Sequence, residues 1–181
     1  MNKDLKIIAL ETLKILIKKS WNELSIKEMK LRSRVKLFSN LVRNKQELLN
    51  NINSYFDYNL ILQSKKIENS NSKDMIFEIL MMRFDLLQAN RKAILSIFKS
   101  FRNNPKELVF MLPKLLISIE TMLSCVKISS KGVVGKLKIK GILIIYLTAF
   151  LVWTNDETES LEKTMTFLDN SLDQAGKLFK L

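Results

Sequence analysis

The placement of glycine and proline most constrains the fold of this chain. All four glycines lie at or after Gly132, so the first 131 residues contain none, and the only prolines are Pro105 and Pro113. These two residue types interrupt regular structure most strongly. The apolar residues recur at helical spacing almost throughout. With 47% hydrophobic residues in 181, the chain can bury a substantial core. We therefore predict an all-α protein with no strand.

Helix-start signals divide the chain into nine predicted helices in two blocks. Residues 25–28 form a capping box, 44–47 a similar start, and 104–105 place Asn before Pro. Asp156 with Glu159 is predicted to cap the last helix. The other predicted helices cover about 3–19, 25–31, 34–42, 44–62, 73–87, 91–101, 105–126 and 136–153. Pro113 should kink the helix at 105–126. Residues 63–72 are predicted to be a polar linker and residues 128–135 a loop.

Residue counts argue against catalysis. The chain has no His and one Cys, which excludes a Ser-His-Asp triad, a Cys-His dyad, an imidazole metal site and an internal disulfide. A single Cys fits a reducing cytosol. The acidic residues at 156–162 match the preference of a helix N-terminus for negative charge. We expect no catalytic residue, no metal site and no cofactor.

Positive charge is concentrated near the N-terminus. The chain has 30 Lys+Arg against 18 Asp+Glu, a net charge of +12. The excess is mostly Lys, whose codons an AT-rich genome favours. However, residues 1–50 hold 12 basic and 5 acidic residues, a net +7, which leaves +5 for residues 51–181. This placement favours a polyanionic partner for the N-terminal segment.

The same segment has the order of a helix-turn-helix: a helix, Trp21, a capped short helix, a turn, a second short helix and a capped long helix. In that layout the second helix contacts phosphates and the third enters the major groove. A solvated basic face on a three-helix bundle is the alternative interpretation. The predicted contacts to double-stranded DNA are Ser25, Lys27, Lys30, Arg32, Arg34, Lys36, Ser39, Asn40, Arg43 and Lys45.

No segment is predicted to cross a membrane. The longest uncharged apolar run, residues 141–153, has thirteen residues, whereas a spanning helix needs about 20. The early acidic residue Asp4 makes the N-terminus a poor signal peptide. We expect a cytoplasmic protein.

Several segments resemble a known family. The sequences WNELSIKEM at 21–29 and KQELL at 45–49, together with Phe38, resemble the DNA-binding domain of TetR-family regulators. The sequences FEILMMRFD at 77–85 and KIKGI at 138–142 resemble TetR-like proteins of alphaproteobacteria and the related lipid-binding family of ubiquinone biosynthesis. The resemblance implies a helix-turn-helix domain at 1–46 and a ligand-binding and dimerisation domain at 47–181.

The resemblance also implies two sites in the second domain. An apolar effector or lipid would occupy a pocket among its helices, where Met-rich walls adapt to ligands. The residues expected there are Met81, Met82, Phe84, Leu87, Met111, Leu115, Met122, Tyr146 and Phe150. The last two helices would form a homodimer interface, with Ile142, Ile145, Ala149, Val152, Leu161, Met165, Leu168 and Leu172.

Two functions follow from this resemblance. The first is a dimeric transcriptional regulator with an apolar effector. The second is a non-enzymatic lipid or isoprenoid binder that assists ubiquinone synthesis. The segment 25–45 is shorter than the TetR pattern, and residues 30–33 replace the usual small residues of the turn. A base-edge hydrogen bond does not tolerate the displacement this implies, whereas attraction to phosphates does.

Overall fold

The computed structural model describes the backbone of residues 1–179 and the side chains of residues 1–176. The described backbone forms nine α-helices, one short 3₁₀ helix at Ser64–Lys66 and no strand, as predicted. The α-helices are α1 (Lys3–Leu16), α2 (Ile26–Ser33), α3 (Phe38–Leu41), α4 (Lys45–Gln63), α5 (Ser72–Gln88), α6 (Arg91–Asn103), α7 (Pro105–Cys125), α8 (Gly132–Thr154) and α9 (Glu162–Phe179).

The chain forms two compact units. The first unit comprises Met1–Asn59 and Leu87–Lys114, and the second comprises Leu60–Leu86 and Leu115–Leu181. Both units are therefore discontinuous in sequence, with boundaries inside α4, α5 and α7. The division at residues 46 and 47, which follows function rather than packing, stays a prediction.

In the first unit, α1 packs against α2 and α6. Trp21 lies between α1 and α2 in sequence and is 1% exposed. Its backbone N–H donates to Ser96 Oγ at 2.9 Å, and its indole Nε1–H donates to Glu107 Oε2 at 3.1 Å. The backbone N–H of Trp21 thus ties the segment before α2 to α6, and its buried indole ties that segment to the first turn of α7.

The structure corrects the predicted helix-turn-helix boundaries. Helix α2 runs two residues further than predicted, to Ser33, and ends at Arg34, which adopts a left-handed conformation with φ of 54°. That residue stops the helix, so α3 begins only at Phe38 and has four residues instead of the nine predicted for 34–42. A left-handed C-cap is usually Gly, and this one went unrecognised because the chain places Arg there.

In the second unit, α8 packs along α9. The two helices are joined around Asp156, whose side chain is fully buried. Its Oδ2 accepts from the backbone N–H and the hydroxyl of Thr164, both at 2.8 Å, and its Oδ1 accepts from the Thr158 hydroxyl at 2.6 Å. Asp156 therefore caps the first turn of α9 from six residues ahead of it, and Glu159 is exposed. Lys73 of α5 adds ion pairs to Asp169 and Asp173 of α9, at 2.8 and 2.6 Å.

Helix α8 begins earlier than predicted, at Gly132 rather than Lys136. Gly132 has a φ of +71°, and a Cβ added at Gly135 would overlap the backbone of Ser130. The two glycines, which suggested a loop, instead belong to the first turn of α8. Gly132 adopts a positive φ there, and Gly135 leaves room for the backbone of Ser130.

Two helices, α7 and α8, are long and apolar enough to cross a membrane when judged by length and composition alone. Core helices of globular proteins meet the same criterion. Only 28% of the most apolar window of α7 and 33% of that of α8 are buried. Both helices therefore expose apolar side chains that the described part of the chain does not cover.

Candidate functional site

A basic surface covers α2, α3 and the turns beside them. It consists of six exposed cationic residues, Lys27, Lys30, Arg32, Arg34, Lys36 and Arg43. Beneath them, Met29, Phe38 and Val42 are fully buried and hold the segment against the first unit. The apolar residues at helical spacing therefore fix the backbone, and the cations between them face solvent.

The one carboxylate within this surface is paired with two cations. Glu28 forms ion pairs with Lys19 at 2.7 Å and with Arg32 at 3.3 Å. The hydrogen bond from Lys19 holds the pKa of Glu28 below its ordinary value, so the group is charged at neutral pH. Since Arg32 already has a partner, its contribution to an external anion is smaller than that of its neighbours.

Two predicted DNA contacts have roles inside the protein. Ser25 is the N-cap of α2, and its hydroxyl accepts from the Glu28 backbone N–H at 3.1 Å. Lys45 Nζ donates to the carbonyl oxygens of Trp21 at 2.6 Å and Asn22 at 3.1 Å. It also lies 5.6 Å from the centre of the Trp21 ring. Burial lowers the pKa of Lys45, and the charge of Glu107 opposes that shift.

The remaining predicted contacts, Ser39 and Asn40, are exposed on α3. They are the polar residues available to meet base edges. A helix of four residues is about one turn, or roughly 6 Å long. Such a helix presents two adjacent polar side chains rather than a face several turns long.

The structure also shows an open cleft that the sequence did not suggest. It has a volume of about 320 Å³ and lies between the first turns of α4 and α7. Its lining is Asn44, Lys45, Gln46, Asn104, Lys106, Glu107 and Phe110. Asn44 and Asn104 predicted both helix starts from sequence. That the two starts lie close together was not predicted, because it involves the tertiary contacts of Trp21 with Lys45 and Glu107.

The predicted pocket residues are mostly buried. In the second unit Phe84, Met122 and Tyr146 are at most 5% exposed, and the rings of Phe84 and Tyr146 are 5.4 Å apart. Met81, Met82, Leu115 and Phe150 are half-buried in the same unit. Leu87 and Met111 are buried in the first unit. The structure thus brings Phe84 and Tyr146 together, and the pocket itself stays a prediction.

The predicted interface residues differ in exposure. Ile142, Ala149, Leu161, Leu168 and Leu172 are buried within the second unit. Ile145 and Val152 are half-buried, and Met165 is 41% exposed. The apolar side chains that α8 leaves most exposed are others that the sequence reasoning missed, namely Val133, Val134, Leu137, Ile144 and Leu151. Leu137, Ile144 and Leu151 recur every seven residues, which was the available signal.

Among the residues that the structure describes, no group of three or more His, Cys, Asp or Glu side chains could hold a metal ion. The acidic segment 156–162 instead forms the cap of α9 through Asp156.

Comparison with solved structures establishes the architecture. The chain is similar to the TetR transcriptional regulator from Nitrosomonas europaea ATCC 19718, with a TM-score of 0.75 over 97% of this chain and 99% of that one. The chain has the TetR fold. At 18% sequence identity this match defines the fold alone.

A sequence comparison adds one local match. Residues 140–178 match the COQ9 family model. They cover all but the first two turns of α8 and nearly all of α9. No curated protein sequence matches the chain. The resemblance to TetR-like proteins and to the ubiquinone-related family is therefore confirmed, with the TetR fold over 97% of the chain and the COQ9 match over most of the last two helices.

Proposed function

We propose that this protein is a non-enzymatic, cytoplasmic binder of an isoprenoid lipid that assists ubiquinone biosynthesis and is built on the TetR fold. The observation that carries the proposal is the COQ9 match at residues 140–178. Helix α3 supports it, because its single turn is too short for the several base contacts that a specific regulator makes. The apolar and aromatic side chains around Phe84 and Tyr146 supply walls suited to an isoprenoid chain.

The two tryptophans allow a direct test of lipid binding. Trp21 belongs to the first unit and Trp153 to the second, and both are buried. A quinone quenches the fluorescence of a nearby indole. In the Trp21→Phe variant, a soluble short-chain ubiquinone should therefore quench Trp153 in a saturable manner. In the Trp153→Phe variant, quenching of Trp21 should stay weak and unsaturated.

Native mass spectrometry of the freshly purified wild-type chain supplies a second readout. We expect an adduct with the mass of an isoprenoid lipid. A chain without an adduct, together with equal and unsaturated quenching of the two tryptophans, contradicts the proposal.

DNA binding is the second candidate, and the basic surface favours it. Among the described side chains, five of its six cations form no ion pair with a carboxylate, and they flank the exposed Ser39 and Asn40. A homodimeric regulator would hold phosphates through these cations and read bases through α3. Fluorescence anisotropy should compare the DNA upstream of the protein's own gene with a scrambled duplex. Equal affinities would rule out sequence-specific regulation and leave phosphate attraction alone.

Both candidates include a homodimer formed through α8 and α9. The exposed residues Ile144 and Leu151 lie on one face of α8, and Met165 of α9 is also exposed. A two-fold axis would pair this face with itself and remove it from water. Seven of the eight interface residues predicted from sequence lie on the same two helices, and Leu161 directly precedes α9. Ile145 and Val152 are the half-buried members of that set.

A further inference from the structure

The connection from α7 into α8 combines exposed apolar side chains with positive charge. Between residues 127 and 140 the chain has five lysines and no acidic residue. Val133 is 85% exposed, Val134 70% and Leu137 52%. We refer to residues 127–140 as the basic apolar tip. Valine is among the residue types most often fully buried in folded proteins, and here two adjacent valines are exposed.

The tip is held in this arrangement by its own packing. Ile128 is buried, and the Ser130 backbone lies so close to Gly135 that no Cβ fits there. On the opposite side of the first turns of α8, Ile139 faces the core. Val133 and Val134 therefore cannot turn inward without displacing this backbone.

The apolar and basic side chains share one face of α8. Residues spaced by three or four positions lie on the same side of a helix, which groups Val133, Lys136, Leu137 and Lys140. Lys136 and Lys140 are exposed, as are Lys127 and Lys131 before the helix. Long lysine stems can lie along an apolar layer while their ammonium groups reach its polar edge.

We propose that the basic apolar tip docks the protein onto an anionic lipid bilayer. Val133, Val134 and Leu137 would enter the boundary between headgroups and acyl chains, and the lysines would contact the lipid phosphates. This partner matches both properties of the tip. Nucleic acid would leave the valines in water, and a second copy would face each set of lysines with another set of the same charge.

The proposal is independent of the proposed function, since it concerns the tip and neither the pocket nor the basic surface. Quenching of Trp153 by a soluble quinone needs no vesicles, so failure of one proposal is distinguishable from failure of the other.

The test is co-sedimentation of the full chain with vesicles. Vesicles of equal parts phosphatidylglycerol and phosphatidylcholine should bind the protein, and pure phosphatidylcholine should not. The double variant Lys136→Gln/Lys140→Gln should weaken binding about 25-fold, since each lysine near an anionic surface contributes about fivefold. Val133→Ser/Val134→Ser keeps the charge and should weaken binding at least about tenfold.

A matched control removes the same charge elsewhere. Lys65 and Lys66 are exposed in the 3₁₀ helix of the second unit, and Lys65→Gln/Lys66→Gln should change binding less than about twofold. All six substituted side chains are exposed, and circular dichroism checks that each variant is folded. Equal losses in the control and tip variants, or unchanged binding in the serine variant, would overturn the proposal. So would tip variants that alter the oligomeric state and leave vesicle binding intact.

Discussion

Two surfaces of this protein, the segment from α2 to α3 in the first unit and helix α8 in the second, differ in the side chains that dominate them. In the first, the segment from α2 to α3 buries Met29 and Phe38 and turns its lysines and arginines outward. In the second, α8 buries Tyr146 and Trp153 and still exposes Ile144 and Leu151. The whole-chain averages of +12 charge and 47% hydrophobic residues hide this division. A surface of the first kind suits a polyanion and one of the second kind suits an apolar partner, so each unit needs its own test.

Removing Trp21 should have the largest effect and should show whether the units unfold separately. Trp21→Ala deletes a buried indole and its hydrogen bond to Glu107, and such a deletion destabilises by about 3–5 kcal/mol. Urea unfolding followed by circular dichroism measures the loss. Trp153 then reports the second unit alone, and Trp21→Phe is the control with the same single fluorophore. A loss below about 1 kcal/mol contradicts the structural role given to Trp21.

A charge on the exposed face of α8 should test the second unit as a dimer surface. An isologous interface contains the substituted position twice, so Ile144→Glu should weaken dimerisation by about 3 kcal/mol, or more than about a hundredfold. Sedimentation velocity across a concentration series measures this. Leu31→Glu, on the 78% exposed Leu31 of α2, is the control and should leave the dimer intact. A wild-type chain that is monomeric at all concentrations would remove the dimer from both proposed functions.

The cap of α9 should produce a smaller effect with a distinct pH dependence. Burial alone would raise the pKa of Asp156, but the hydrogen bonds from Thr158 and Thr164 outweigh it and hold the pKa at about 2, below the ordinary 3.8. Because the folded-state pKa is depressed, its contribution to stability is fully present above about pH 4 and is lost as the pH falls through 2.

Asp156→Asn tests this role. An amide accepts on only one side of its terminal group, so the donors of either Thr158 or Thr164 lose their acceptor. We expect a loss of about 2 kcal/mol at neutral pH that shrinks below pH 4. Thermal unfolding at several pH values measures it. Glu157→Gln is the exposed neighbouring control, and an equal loss in that variant would exclude a specific cap.

Sequence reasoning predicted the helices far better than the surfaces. Capping residues such as Ser25 and Asn44 act within one turn, so their helix starts could be read locally. The end of α2 could not, because Arg34 adopts a conformation that its residue type does not announce. The exposure of α8 was equally hidden. Ile142 and Ile144 are alike in sequence, and the packing of α9 decides that one is buried while the other is exposed.

Lys45 shows the same limit for a charged residue, and its substitution should have the smallest effect. From sequence it belongs to the basic segment, but its ammonium group donates to the carbonyls of Trp21 and Asn22. Lys45→Met should therefore lower the free energy of unfolding by about 1 kcal/mol. It should leave unchanged the slope of log affinity against log salt for a DNA duplex. Lys36→Met, at an exposed position, should do the reverse: stability stays the same, while the slope falls by about one because one phosphate contact is lost. A slope that falls as much in Lys45→Met as in Lys36→Met would return Lys45 to the DNA-binding set and contradict its assignment as an internal tie.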